Sequence, residues 1–143
     1  EAPVDRPAPR GAKLSHKTLL LVTRQLATLI EASVPVDEAL AMIAAQQEQP
    51  TAQRIVSDVQ AGVVEGQRLA DALARHPGSF SGLYRAAVVG GEQSGKLAFV
   101  LARLADYLER AHALRTKVTT AMIYPAALSF VAITVVVCLM IFV

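Results

Sequence analysis

The sequence predicts an all-α protein, a compact antiparallel bundle of about six helices followed by the start of a transmembrane helix. Three observations carry this expectation. Apolar residues recur at steps of three and four along most of the chain, the period of a helix face. No stretch alternates apolar and polar residues for long enough to make a strand. From Val118 to Val143 there is no charged residue, and a membrane helix needs only about 20 predominantly apolar residues.

Residues 1–14 form a flexible, Pro-rich N-terminal segment, with Pro3, Pro7, Pro9 and Gly11 among Arg6, Arg10 and Lys13 and little to bury. The helical domain spans 15–118. Ser15 is placed to cap the first helix, and Leu19, Val22, Leu26, Leu29 and Ile30 form its apolar stripe. Pro35 interrupts that helix near Ser33, because the residue before a proline is pushed out of the helical region. A second helix starts near Val36 with Leu40 and Ile43 on one face. Pro50 ends it and opens a third, carrying Ile55, Val56, Val59 and Val63 and punctuated by Gly62 and Gly66. A short fourth helix holds Leu69, Ala72 and Leu73 and stops before Pro77-Gly78. Ser81 caps a fifth through Leu83, Ala87 and Val88. Gly90 to Gly95 reads as a turn. The sixth helix runs from Lys96 through Leu97, Leu101, Leu104 and Leu108 towards Tyr124-Pro125. The short connections favour antiparallel neighbours.

Residues 119–143 are expected to begin a transmembrane helix, the chain being a piece of a longer protein. Only Ser129 and Thr134 interrupt the apolar run after Pro125, whereas a buried soluble helix of this length would carry a polar stripe. Arg103, Arg110, Arg115 and Lys117 lie just before it. Basic residues this close to a span stay on the cytoplasmic side, so the preceding domain is expected in the cytoplasm. A formal net charge of +2 with interspersed signs gives no ground for nucleic-acid binding. The single cysteine, Cys138, rules out a disulfide within the chain and suits a reducing compartment.

The residues offer little catalytic chemistry. Gly90-Gly91-Glu92-Gln93-Ser94-Gly95-Lys96 spells the first seven positions of a phosphate-binding loop. The next residue should carry a hydroxyl for magnesium and is Leu97, Glu92 would set a carboxylate against the phosphate, and the preceding residues read as helix rather than strand. The glycines are better explained by a tight connection between helices, with Glu92 near the positive end of the sixth helix. His16, His76 and His112 have no second ligand at metal spacing. Ser81 and Ser94 have no visible activating pair. Asp37-Glu38 complements the dipole of the second helix. No catalytic residue and no required cofactor is expected.

Taken together, the punctuation resembles the F-domain of type II secretion system protein F and the type IV pilus inner-membrane platform protein. Thr23 to Leu29 is similar to the RQLATL opening of that family, Pro35 to Leu40 to its step ending in AL, Gly66, Leu69 and Leu73 to its G-x-x-L step, and Phe80 and Tyr84 to its F-x-x-x-Y step. Gly91-Glu92-Gln93-Ser94-Gly95-Lys96-Leu97 matches the GE-x-SG-x-L signature, and Leu104 to Glu109 and Tyr124-Pro125 complete the series. Ser33 departs from it, since many members carry glycine there; a serine fits if its φ stays negative, and that is the expectation.

The resemblance implies the first of two cytoplasmic domains of a non-catalytic, multi-pass platform protein in the bacterial inner membrane. It implies docking to the secretion ATPase and to membrane-anchored secretion subunits, and a homo-oligomer, with a dimer as the simplest form. Type IV pilus assembly is the alternative, and a membrane receptor or signalling helical module a more distant one. The resemblance also implies calcium held by acids at the positions of Glu38 and Glu92. Lys96 stands where a third acid falls in calcium-associated members, and it argues against the ion. Gly91, Ser94 and Gly95 are implied as the structural turn; partner-binding residues are not indicated.

Overall fold

Six helices follow one another: α1 (His16–Glu31), α2 (Val36–Gln46), α3 (Pro50–Val64), α4 (Leu69–Leu73), α5 (Gly82–Ser94) and α6 (Leu97–Phe142). The computed structural model describes residues 11–143, the side chains of 115–121 excepted, and no strand occurs among the described residues. Most of the Pro-rich segment expected over 1–14 lies outside them. The chain divides into two units, one through Leu108 and one from Glu109 to Val143.

Helix starts in the first unit follow local chemistry. Ser15 Oγ accepts from the Thr18 amide at 3.2 Å, and Ser81 Oγ accepts from the Tyr84 amide at 3.2 Å. Pro50 occupies the first turn of α3, where its missing N–H has no partner to lose. Asp37 and Glu38 sit in the first turn of α2, as dipole complementation requires.

Helix ends are closed by one device used three times. Ser33 has φ 66°, Gly66 has φ 97° and Gly95 has φ 71°. In each case the next amide reaches back five residues to a last-turn carbonyl: Val34 to Leu29 at 3.0 Å, Gln67 to Gly62 at 3.0 Å, and Lys96 to Gly91 at 3.0 Å. This left-handed cap satisfies carbonyls that have no partner inside the helix. Ser33 therefore corrects the expectation of a negative φ. The cap geometry needs a left-handed residue at that position whatever its type, and the closing hydrogen bonds outweigh a steric cost of about 1 kcal/mol for a residue with a Cβ.

The apolar stripes converge on one core. Val22, Leu26, Leu40, Ile43, Ile55 and Val59 interlock with Leu73, Phe80, Val88 and Leu101, all buried. α2 packs most extensively on α3 and also on α1, while α4 packs on both α3 and α5. Gly62 lets α4 approach closely, since a Cβ there would lie 3.1 Å from the Ala72 Cβ. Within this core lies one buried polar pair. The Thr23 hydroxyl donates to the Leu19 carbonyl at 2.7 Å, which leaves its oxygen to accept the Tyr84 hydroxyl at 2.8 Å. Thr23 is 0% and Tyr84 4% exposed, so the pair ties α1 to α5 out of reach of water. Burial pushes the Tyr84 phenol up from 10.0 to about 12, against a smaller opposing effect of the Thr23 hydrogen bond. At the surface Arg24 pairs with Asp106 at 3.0 Å, joining α1 to α6, and the His16 ring meets the Leu108 carbonyl at 3.0 Å. Leu108 is the last buried residue on the described part of α6.

The second unit is helical. Its stretch Met122–Phe142 is 21 residues long with mean hydropathy 2.5 and is nowhere buried against protein, so it is long and apolar enough to cross a membrane. Pro125 lies inside the helix and removes one backbone bond. The two hydroxyls of the stretch turn inward on their own helix, Ser129 Oγ donating to the Pro125 carbonyl at 2.9 Å and Thr134 Oγ1 to the Phe130 carbonyl at 2.8 Å.

Two measurements check this account. Ser33→Gly should stabilise the bundle by about 0.5–1 kcal/mol in denaturant unfolding, the relief of a Cβ in left-handed backbone less the added freedom of the unfolded chain. Tyr84 has a folded pKa raised above its unfolded value, so its contribution is complete below pH 10 and is lost as pH rises through about 12. Comparing the wild type with Tyr84→Phe across that range should show the wild type losing on the order of 2–3 kcal/mol that the variant does not lose; parallel pH profiles would refute the buried-phenol account.

Candidate functional site

The junction of α4, α5 and α6 gathers the residues of the most specific motif. α5 does not end at Gly90. Gly90 to Ser94 form its last turn, and only Gly95 leaves the helix, as the left-handed cap. This corrects the reading of Gly90–Gly95 as a turn: the left-handed cap lets the helix run to Ser94 before the chain reverses. It also disposes of the phosphate-loop reading, because the amides of Gly90 to Ser94 lie within a helix rather than around a phosphate-sized cradle.

Each residue of the motif has a separate task. Gly91 is buried, and a Cβ there would stand 3.1 Å from the Leu97 Cα and 3.1 Å from the Val100 Cβ. Its bare Cα is what admits the first turn of α6. Its carbonyl accepts from the amides of Gly95 and Lys96 and, at 3.4 Å, from the Ser94 hydroxyl. Gly90, by contrast, has nothing within 4 Å of an added Cβ. Gly91, Ser94 and Gly95 thus connect α5 to α6, and the neighbouring glycine is incidental to that connection.

Glu92 does something the sequence did not indicate. It lies in the last turn of α5, not at the start of α6 as expected, where its own helix offers only the unfavourable negative end of the dipole. Its carboxylate crosses to α4 and accepts from two amides, Leu69 N at 3.1 Å and Ala70 N at 2.9 Å. α4 has no side-chain cap of its own, since Arg68 fills the cap position. Glu92 supplies the cap from another helix, and α4's positive end compensates the charge.

The calcium implied for Glu38 and Glu92 does not fit these residues. Both Glu92 oxygens are engaged by α4, and Glu38 stands exposed in the first turn of α2. Among the described residues no group of three or more His, Cys, Asp or Glu converges as a metal site requires. Lys96 is exposed beside Glu92 on an open hollow also lined by Glu31 and Phe99. An ion that wants six to eight oxygens finds two separate carboxylates and a lysine here. His76 is engaged elsewhere, its Nε2 2.6 Å from Asp58 on α3. Thr23 and Tyr84 stood in the sequence only as positions of the family motifs and Gly62 only as punctuation of α3; the fold pairs the first two and seats α4 against the third.

Bundle and junction define an all-α module whose sequence continues into a helix of membrane-spanning length and composition. The chain belongs to the type II secretion system protein F family: the model described as Type II secretion system (T2SS), protein F, matches residues 22–143. It is 47% identical over 127 residues to a type II secretion system protein F of Aeromonas hydrophila, covering 89% of this chain and 32% of that protein. It is 43% identical over 123 residues to one of Vibrio cholerae, covering 86% and 30%. The type IV pilus assembly protein TapC of Aeromonas hydrophila is 38% identical over 133 residues, 93% of this chain and 32% of TapC. The chain spans about a third of the length of these relatives.

The junction makes a three-way prediction for thermal or denaturant unfolding. Gly91→Ala should destabilise by about 1–3 kcal/mol through overpacking against Leu97 and Val100. Gly90→Ala, one residue away, should be neutral or stabilise by up to about 1 kcal/mol, as alanine does in an open helical position. Glu92→Ala should cost about 1–2 kcal/mol by leaving two α4 amides without their cap. Equal effects at the two glycines would sink the close-approach account.

Proposed function

We propose that this chain is the first cytoplasmic domain and the start of the first membrane span of a non-catalytic inner-membrane platform component of the type II secretion system. The observation that carries the reading is the pairing, in one family member, of a closed bundle with an uncharged helix of 21 residues at mean hydropathy 2.5. The basic residues Arg103, Arg110, Arg115 and Lys117 ahead of that helix support a cytoplasmic bundle. With the motif residues committed to packing and capping, function lies in surfaces. The bundle docks the secretion ATPase and neighbouring membrane subunits, and the protein works as a homo-oligomer. Type IV pilus assembly is a second reading, favoured by the 38% identity to TapC across 93% of the chain.

Co-purification of the chain, in detergent, with the secretion ATPase and its membrane-anchored partner tests this, with the pilus ATPase as a parallel arm. Retention of the secretion proteins alone is the expected result. Retention of the pilus ATPase alone would move the assignment to pilus assembly. A folded chain that retains neither would remove the platform reading.

A further inference from the structure

The end of the bundle from which the chain leaves at Leu108 is basic. The Leu108 carbonyl meets the His16 ring at 3.0 Å, so the exit lies beside the first turn of α1. The connection from α4 to α5 closes the same end. The Leu14 amide donates to Ser79 Oγ at 3.0 Å, and Lys13 lies along Gly78, where a Cβ would stand 3.1 Å from the Lys13 Cε. Both α1 and α5 therefore start here, and side chains lean towards the N-terminus of their own helix. Lys17 and Leu21, one turn apart on α1, and Leu83 in the first turn of α5 lean towards this end. Leu21 is 51% and Leu83 65% exposed although both are apolar. Arg85 also turns back, its Nη2 lying 4.0 Å from where a Cβ on Gly82 would stand.

The two segments that build this end hold no acid. From Arg6 to Ile30, and again from Ala72 to Gly91, the chain has neither Asp nor Glu. Lys13 and Lys17 are exposed and Arg85 half-buried, and none of the three makes an ion pair among the described residues. Asp58 and Glu65, which reach in from α3 and its cap, are met by His76 and Arg75. The acids Glu31, Asp37 and Glu38 gather instead around the α1–α2 connection, at the far end of α1. Beyond Leu108, Glu109 is the one acid before Met122, against Arg110, Arg115 and Lys117. The stretch Glu109 to Ala121 is about 20 Å of helix, so the basic end is tethered close to any bilayer that Met122–Phe142 enters.

We propose that this end of the bundle docks on the anionic lipid headgroups of the bilayer that its own span crosses, with Lys13, Lys17 and Arg85 on phosphates and Leu21 and Leu83 against the headgroup layer. Unpaired bases beside exposed leucines suit a surface that is negative outside and apolar beneath. An acidic protein segment would satisfy the same bases, but it would have to arrive from solution. Lipid is held alongside by the chain itself, at a high effective concentration. The α1 and α5 N-termini add partial positive charge of the same sign. This docking rests on the reading of Met122–Phe142 as a membrane span, whichever machine the protein serves.

The test places the chain in nanodiscs of phosphatidylcholine, or of an equal mixture with phosphatidylglycerol, each holding a trace of lipid spin-labelled at the headgroup. Co-elution of the chain with the discs checks the span by itself. Amide NMR linewidths then report which residues approach the headgroups. Amides from Lys13 to Leu21 and from Ser81 to Arg85 should broaden at least about twofold more in the anionic discs, and high salt should remove the difference. Amides from Glu31 to Ala39 should be unchanged. Lys13→Glu/Lys17→Glu should abolish the anionic enhancement, and the milder Lys13→Gln/Lys17→Gln should reduce it; circular dichroism confirms that both variants are folded. Equal broadening in the two lipids, an enhancement that survives the charge reversal, or broadening strongest from Glu31 to Ala39 would each overturn the proposal with the span intact. A chain that does not enter the discs would overturn the span and the proposal together. Amides that shift with a soluble polyglutamate peptide and ignore anionic discs would assign the patch to an acidic protein segment instead.

Discussion

The carboxylate of Glu92 on the amides of Leu69 and Ala70 is the contact on which the arrangement of the last three helices depends. α4 is only five residues long, too short to hold itself helical in water. It needs a neighbour that buries one face and a group that satisfies its amides, and α5 supplies both. The same turn of α5 receives α6 through the bare Cα of Gly91. One helical turn therefore fixes α4 by hydrogen bonding and α6 by close packing, and a shift of α5 would disturb both at once. Glu92 cannot easily become long or short in this setting. Aspartate falls a methylene short of α4, and glutamine keeps only one accepting oxygen.

Around that junction the bundle solves a single problem repeatedly. Short connections demand that helices stop sharply, and a helix that stops sharply leaves carbonyls without partners. The left-handed caps at Ser33, Gly66 and Gly95 return those carbonyls to the backbone within two residues. The bundle accepts a serine at one of the three, which shows that cap hydrogen bonds can hold a residue with a Cβ in the strained region. The Thr23–Tyr84 pair adds a different kind of constraint. Apolar contacts tolerate sliding, whereas a buried hydroxyl must meet its partner at one register of α1 against α5.

Much of this was legible in the residues. The six helices, the caps at Ser15 and Ser81, the break at Pro50 and the apolar helix near the C-terminus all follow from rules of spacing within a few residues of one another. What escaped was set by distant parts of the chain. Nothing local to Glu92 says that its partner lies twenty-odd residues upstream, and by local rules its place was the start of the following helix. Nothing local to Ser33 shows that α1 would close with a full left-handed cap. Gly90 and Gly91 look alike in sequence and differ only in what stands beside them. Glu38 and Glu92 came together in the reading because a resemblance joined them; the fold gives one an α4 to cap and leaves the other at the surface.

The inward-turned hydroxyls of Ser129 and Thr134 have a consequence for how the last helix meets a lipid phase. A free hydroxyl on an isolated helix looks for water or for a neighbouring helix, and so acts as a handle for lateral association. Bonded to a carbonyl four residues back, each is spent within its own turn. Acyl chains would meet a nearly uniform coat of Val, Ile, Leu, Met and Phe. Any lateral recognition by this helix would then rest on the shape of its surface rather than on polar pairing, which favours exchangeable neighbours over a fixed one.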